Sequence, residues 1–319
     1  MPTEEGSHTL ADGHKLYTKT WKVRARIVIQ RAVLMHPLDR GSSPSTTGLH
    51  PWLLRFNTYD NFFSTLASKG IEVYTGWGKS VTQKSERGHT GSTQQVLDDM
   101  TSFITSVIPC PIPLFLMGHS MGGGEVLCYA AQGPSEVLQH IRGYLLESPF
   151  VDFDPKSKPS FVTVFFGRLA GKLLPHRQLT NKLDPKLISR DPAVCQSFDE
   201  DELCHDTGTL EGLAGLLDRT SHLANGKINI PDNAGEGGVT RIWIGHGDAD
   251  GITAHDASKR LADALQVKDK EFKSYAGYYH RLHDEPSPEK EVFMEDVANW
   301  ILARSTEPVQ AGDGAKPKL

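Results

Sequence analysis

Leu114-Phe115-Leu116-Met117-Gly118-His119-Ser120-Met121-Gly122 passes from an unbroken apolar run to a glycine-bracketed serine. Four apolar residues with no polar interruption predict a buried strand, and the run Glu125–Gln132 that follows predicts a helix. A Gly-x-Ser-x-Gly pattern between strand and helix implies a sharp turn whose glycines keep Cβ atoms out of crowded backbone. The Ser120 hydroxyl is then expected above the carboxyl edge of a sheet. The free amides of a helix N-terminus beside it favour developing negative charge. A glycine-rich turn with an incidental serine is the plain alternative. A dinucleotide site fits less well, because G-x-G-x-x-G is absent and no acidic residue closes a second strand.

Outward from this turn the chain alternates strand and helix signals. Lys15–Trp21 (KLYTKTW), Ile27–Met35 (IVIQRAVLM) and Ile71–Tyr74 (IEVY) have strand composition. Phe62–Lys69 has helical spacing and stops at Gly70. Gln94–Ile108 is amphipathic, with Val96, Leu97, Met100, Phe103, Ile104 and Val107 on one face. Tyr144–Leu146, Val239–Ile244 and Lys270–Tyr275 are further strands, and Ala254–Leu265 and Val292–Ala303 further helices. This rhythm predicts a parallel sheet. Between Pro149 and Gly238 strand signals fade and helix-like pieces such as Phe161–Leu174 and Gly208–Leu223 take over. The expected organisation is therefore a core of residues 1–148 and 239–304, a helical insertion over 149–238, and a disordered polar tail over 305–319.

Composition narrows the function classes. With 319 residues, 38% of them hydrophobic and 23% charged, the chain can bury a large core without metal or disulfide support. A net charge of −5 argues against a nucleic-acid partner. The four cysteines are scattered with no CxxC pair, so they read as free thiols. No apolar targeting segment or membrane-spanning run is found, so a soluble cytoplasmic protein is expected. The closing Pro317-Lys318-Leu319 only loosely resembles a peroxisomal address, and chance accounts for it as well.

A serine needs a base and the base needs an orienting acid, which in this architecture follow the serine in chain order. Gly247-Asp248-Ala249-Asp250 follows one late strand and Tyr278-Tyr279-His280 the next. Asp250 and His280 are the expected pair, but spacing alone leaves Asp248 and His283 as rivals. A metal site built from His246, Asp248, Asp250 and His255 is a further alternative, without a recognised ligand spacing.

Together, PLFLMGHSMGGGEVLCYA (113–130), WIGHGDADGIT (243–253) and YAGYYHRLHDE (275–285) resemble the nucleophile elbow, acid loop and histidine loop of the fungal monoacylglycerol lipases. These belong to the serine aminopeptidase S33-like group of α/β hydrolases. The resemblance extends over most of 62–304. It implies an α/β-hydrolase fold with a mostly parallel central sheet, flanking helices and a helical cap. It implies a triad of Ser120, Asp250 and His280, and oxyanion amides from Met121 and Leu38. It also implies ester cleavage of a monoacylglycerol or similar single-chain lipid through an acyl-enzyme, with no cofactor.

Two features depart from the pattern. Pro37 stands where the family has a glycine after His36, and Asp39–Phe56 reads as extra sequence while a short run is missing before Gly76-Trp77-Gly78. Divergence and a misread gene are both open explanations. A weakened or non-catalytic hydrolase-fold protein is accordingly one alternative, and a lysophospholipase or general carboxylesterase is another. The apolar residues of Ser160–Leu174 predict a cap helix. Phe161, Phe165 and Leu169 on it are the expected acyl contacts, and part of its face is expected to dock on lipid droplets or membranes.

Overall fold

The structure is a computed structural model that describes residues 3–22, 30–35, 57–76, 84–156, 161–201 and 206–305, with backbone alone at 30–35, 57–58, 75–76, 84 and 161–166. In chain order its elements are β1 (Thr3–Thr9), β2 (Lys15–Trp21), β3 (Gln30–Met35), α1 (Asn57–Ser68), β4 (Ile71–Gly76), α2 (Thr93–Val107) and β5 (Leu114–His119). Then follow α3 (Met121–Gln132), the short α4 (Ser135–Leu138), β6 (Ile141–Glu147), α5 (Phe161–Leu173), β7 (Gln178–Thr180), α6 (Pro192–Glu200), β8 (Thr207–Thr209) and α7 (Leu210–Ala224). The chain closes with β9 (Arg241–Gly247), α8 (His255–Ala264), β10 (Asp269–Tyr275) and α9 (Glu289–Ser305).

The main sheet runs in the order β1-β2-β4-β3-β5-β6-β9-β10. Pairing is antiparallel for β1 with β2 and for β2 with β4, and parallel across the rest. This is the α/β-hydrolase architecture. The interior strands β5, β6 and β9 are buried along their whole length, as strands covered on both faces must be. Their side chains alternate with period two. Leu114, Leu116, Tyr144, Leu146, Ile242 and Ile244 join the cluster formed with α2, α3 and α8. Phe115, Met117, Leu145 and Trp243 point into the other cluster, formed with α1 and α9. A continuous apolar run in the sequence therefore serves two cores at once.

Strand β1 departs from expectation. Its residues are almost all exposed and carry no apolar alternation, so nothing in their pattern marks a strand. It forms as an edge hairpin, held by full backbone pairing to β2 and by the turn at Gly13, whose φ is 88°. Helix α1 begins at Asn57 rather than Phe62, and Gly70 follows it at φ 88°. Ser305 ends α9, so it belongs to the helix; residues 306–319 lie outside the described part.

Between β6 and β9 the chain forms α5, the two-stranded β7–β8 ribbon, α6 and α7. The α6 helix and the ribbon carry no periodic signal long enough to announce them. Helix α7 lies against α3, the helix that follows Ser120, and buries an ion pair there. Arg219 meets Glu125 at 3.2 Å, with both side chains almost wholly buried. Burial pushes the Glu125 carboxyl above its ordinary value, and the Arg219 charge only partly offsets it. The same arginine donates to Thr93 Oγ1 on α2.

Candidate active site

Ser120 sits between the last residue of β5 and the first of α3 with φ 53° and ψ −121°, a backbone conformation that a residue with a Cβ adopts only under constraint. The constraint is visible. The Ser120 N–H donates to the Glu147 carbonyl at 3.0 Å, and its carbonyl accepts from Phe150 N–H at 2.8 Å. The space around the turn admits only glycine at key points. A Cβ on Gly118 would lie 2.4 Å from the Gly122 oxygen, and one on Gly123 would lie 2.8 Å from the Pro149 side chain. Glycine-bracketed sequence, strained serine and sheet edge are thus one feature.

The acid loop leaves β9 after Gly247 and the histidine loop leaves β10 after Tyr275. Because β5, β6, β9 and β10 are parallel, all their carboxyl ends reach the same edge of the sheet. There His280 Nε2 lies 2.9 Å from Ser120 Oγ, and His280 Nδ1 lies 2.8 Å from Asp250 Oδ2. An ionised carboxylate only accepts, so Nδ1 carries the proton. In the neutral ring Nε2 is then free to accept from the serine hydroxyl.

Asp250 is buried and saturated with donors. Ile252 N–H and Thr253 N–H donate to Oδ1 at 2.8 and 3.1 Å. The Thr253 hydroxyl and His246 Nε2 approach Oδ2 at 2.8 and 3.1 Å, beside His280. Burial alone would raise the Asp250 carboxyl. The charge of His280, with hydrogen bonds from His246 and His280, outweighs burial and holds it well below the ordinary carboxylate range. Burial also pushes His246 below its ordinary value, against the pull of Asp250, so its ring is neutral near pH 7.

The rivals occupy other stations. Asp248 is exposed, and its Oδ1 accepts from Gly277 N–H at 2.6 Å. His283 is fully buried and its Nδ1–H donates to Glu147 Oε1 at 2.6 Å, not to Ser120. His255 bonds Ser274 and Asp256. Among the described residues no group of three or more His, Cys, Asp or Glu side chains converges as a metal site would require.

Several neighbours escaped the sequence reading. His119 Nε2 reaches the His280 carbonyl at 3.3 Å, and its Nδ1 meets the Tyr59 hydroxyl at 3.0 Å. The carbonyl only accepts, so Nε2 carries the proton and Tyr59 donates to Nδ1. Tyr59 also packs on the His283 ring with centroids 4.2 Å apart. Tyr59 lies far from any motif, so only the packing of α1 on the sheet brings it here. Thr253, three residues after Asp250, had a local signal: a short hydroxyl side chain that close to an aspartate commonly closes a turn.

The remaining expected residues are placed as follows. Met121 begins α3, where a backbone N–H has no partner within the helix. Leu38 lies outside the described residues, as do Pro37, Asp39–Phe56 and Trp77–Gly78. Strand β3 ends at Met35, whose backbone is in register with Gly118 of β5 and Gly76 of β4. The side chains of Phe161 and Phe165 lie outside the described part of α5. Leu169 is 46% exposed and Leu173, one turn on, is 71% exposed. Among the described residues no helix is long and apolar enough to cross a membrane.

Comparison with known proteins agrees with this geometry. The family model described as serine aminopeptidase, S33, matches residues 54–287. A Schizosaccharomyces pombe protein whose name proposes a monoglyceride lipase is 31% identical over 298 residues, covering 91% of this chain and 72% of its own length. The solved structure of a soluble variant of the Saccharomyces cerevisiae monoglyceride lipase, in complex with a substrate analog, superposes with a TM-score of 0.79 at 23% identity, covering 95% of this chain and 97% of that one. The Paleococcus ferrophilus monoacylglycerol lipase superposes with a TM-score of 0.71 at 27% identity, covering 91% and 99%. By its strand order, its strained serine turn and the match over 54–287, this chain belongs to the serine aminopeptidase S33 family of α/β hydrolases.

Proposed function

We propose that the chain is a serine hydrolase that splits monoacylglycerols into fatty acid and glycerol, with Ser120 as nucleophile, His280 as general acid and base, and Asp250 as its orienting partner. The observation that carries this reading is the hydrogen-bonded run from Ser120 Oγ through His280 to Asp250 on the strained turn. The relatives named as monoglyceride lipases support the substrate class.

Ser120 Oγ attacks the ester carbonyl carbon while its proton passes to His280 Nε2. Asp250 stabilises the resulting imidazolium across the Nδ1 hydrogen bond without taking the proton. The carbonyl oxygen, now negative, is held by the Met121 N–H at the start of α3 and by an amide from the segment carrying Leu38. Collapse of the tetrahedral intermediate breaks the ester bond. His280 returns the proton to the departing glycerol oxygen, leaving an acyl group on Ser120. A water then gives its proton to His280 and attacks the acyl carbon, and the fatty acid leaves as Ser120 regains its proton.

In this reading the insertion 149–238 serves as the cap, and α5 is the element that would meet the acyl chain. Leu169, Leu173, Leu174 and Leu179 are large apolar side chains left exposed on this segment, and Lys172 lies among them. They suit peripheral contact with a lipid droplet or membrane, the apolar row entering the interface and the lysine meeting head groups.

The test is fatty-acid release from 1-oleoylglycerol by the purified full chain beside Ser120→Ala, with fluorophosphonate labelling of both. Release and labelling by wild type, with both lost in the variant, is the expected result. A well-folded wild type that neither labels nor turns over would overturn it.

A further inference from the structure

Asp250 serves two imidazoles through one oxygen. Its Oδ2 lies 2.8 Å from His280 Nδ1 and 3.1 Å from His246 Nε2, and His246 is completely buried. Orienting His280 needs only the first of these contacts. Neither packing nor turn geometry requires the second residue to be polar, and burying an imidazole there without reason would be costly. Its other ring nitrogen, Nδ1, is buried with no hydrogen-bond partner among the described residues, so what rewards a histidine there is the contact of Nε2 with the Asp250 carboxylate, with the Thr253 hydroxyl 3.3 Å away.

We infer that His246 is a positioning residue for the proposed hydrolysis, acting through Asp250. It donates its Nε2–H to Oδ2 and so limits how strongly Asp250 attracts the proton-bearing form of His280. The inference rests on the triad reading above. A carboxylate accepting several donors spreads its charge over them, and each donor removed concentrates that charge on those that remain. Without the His246 donor, Asp250 would pull harder on a protonated His280, and His280 would stay protonated to a higher pH. A protonated His280 cannot accept the Ser120 proton. The neutral form of His246, which burial favours, is the one that donates here without adding a positive charge beside His280.

The other ionisable groups around this cluster have partners of their own. On the acid loop Asp248 is turned to Gly277 N–H, and at the start of α8 His255 stands edge-on to the His246 ring at 5.6 Å while bonding Ser274 and Asp256. From β5, His119 lies 4.8 Å from the His280 ring, centre to centre, and binds Tyr59 of α1. From the end of β6 Glu147 is held by His283, and on the histidine loop Arg281 pairs with Asp284. Among the described imidazoles around His280, His246 is thus the one whose proton is given to Asp250.

The experiment compares the pH profile of kcat/KM for wild type, His246→Leu and His246→Gln. Gln can place an amide N–H where the imidazole Nε2–H lay, and Leu cannot. In His246→Leu the acid limb is expected to move up by about half to one pH unit, a loss of about 3- to 10-fold on the acid side that vanishes on the alkaline plateau. His246→Gln is expected to stay at the wild-type position. An unshifted limb in His246→Leu, or a loss equal at every pH, would overturn the inference. Should His246→Leu fail to fold, His246→Asn replaces it, since its shorter amide falls short of Asp250 and is expected to shift the limb as Leu would. The downfield proton resonance of the His280–Asp250 hydrogen bond, titrated in the same variants, reads the shift without turnover. An inactive wild type would therefore sink the functional reading while the resonance still decided the role of His246.

Discussion

The acid–histidine end of the site and the outer face of α5 are built on opposite principles. Around Asp250 every polar contact is specified: two backbone amides, one hydroxyl and two imidazoles converge on a carboxylate with no solvent exposure. Toward the end of α5 and just past it, Leu169, Leu173 and Leu174 are left exposed. The first arrangement is rigid because a buried charge without its donors costs several kcal/mol. The second remains adaptable because dispersion and burial are non-directional and reward any apolar surface that arrives. A reaction that needs one geometry for the proton and tolerates many arrangements of an acyl chain has use for both.

Three variants probe this contrast, in falling order of effect on turnover. Asp250→Asn should lower kcat by about 10⁴-fold, because an amide can present the wrong group to His280 Nδ1 and stabilises no imidazolium. Single-turnover rates measure it. The same variant should lose acid sensitivity. The depressed Asp250 carboxyl gives wild type a stabilisation that is complete above the unfolded Asp value of about 3.9 and fades as pH falls below it. Acid unfolding of Asp250→Asn should therefore begin from a lower stability and fall less steeply. A kcat within 10-fold of wild type would show that the buried network is not what drives the chemistry.

Leu169→Ser with Leu173→Ser should leave stability within about 0.5 kcal/mol, as exposed positions usually do. Turnover of a short water-soluble ester should be unchanged, while turnover of emulsified monoacylglycerol drops several-fold. Equal effects on both substrates would make these leucines packing residues and collapse the contrast. The smallest effect on turnover belongs to Asp248→Asn. Its carboxylate is exposed and serves one backbone amide, so kcat should change less than about 3-fold, with a stability loss of about 1 kcal/mol. A loss approaching that of Asp250→Asn would reopen the choice between the two aspartates.

How much of this was legible beforehand follows from the range over which each interaction acts. The strand-turn-helix around Ser120 could be read directly, since glycine spacing and an apolar run are local constraints on φ and on Cβ volume. The late strands and helices were legible too, with ends off by a few residues, because their apolar periods are set by packing on a flat sheet. Strand β1 was not. Its order comes from backbone pairing to β2, which leaves no mark on side-chain pattern. The ribbon of β7 and β8 was missed for the same reason, as three-residue strands are too short for a period to show.

The sequence by itself determined the fold class, the serine turn and the strand ends from which an acid and a base had to come. The choice of Asp250 over Asp248 and of His280 over His283 came there from resemblance, because two residues or three along a loop differ by nothing that periodicity records. Tertiary structure separates them by direction and distance. Parallel strands bring all their carboxyl ends to one edge, where one aspartate turns inward to five donors and its neighbour turns out to solvent. Tertiary structure alone also brought Tyr59 to His119, and His280 onto the carboxylate that His246, four residues before Asp250, already reaches from the end of β9. Contacts between residues far apart in the chain depend on how whole elements pack, and a linear pattern encodes only which face of each element is buried.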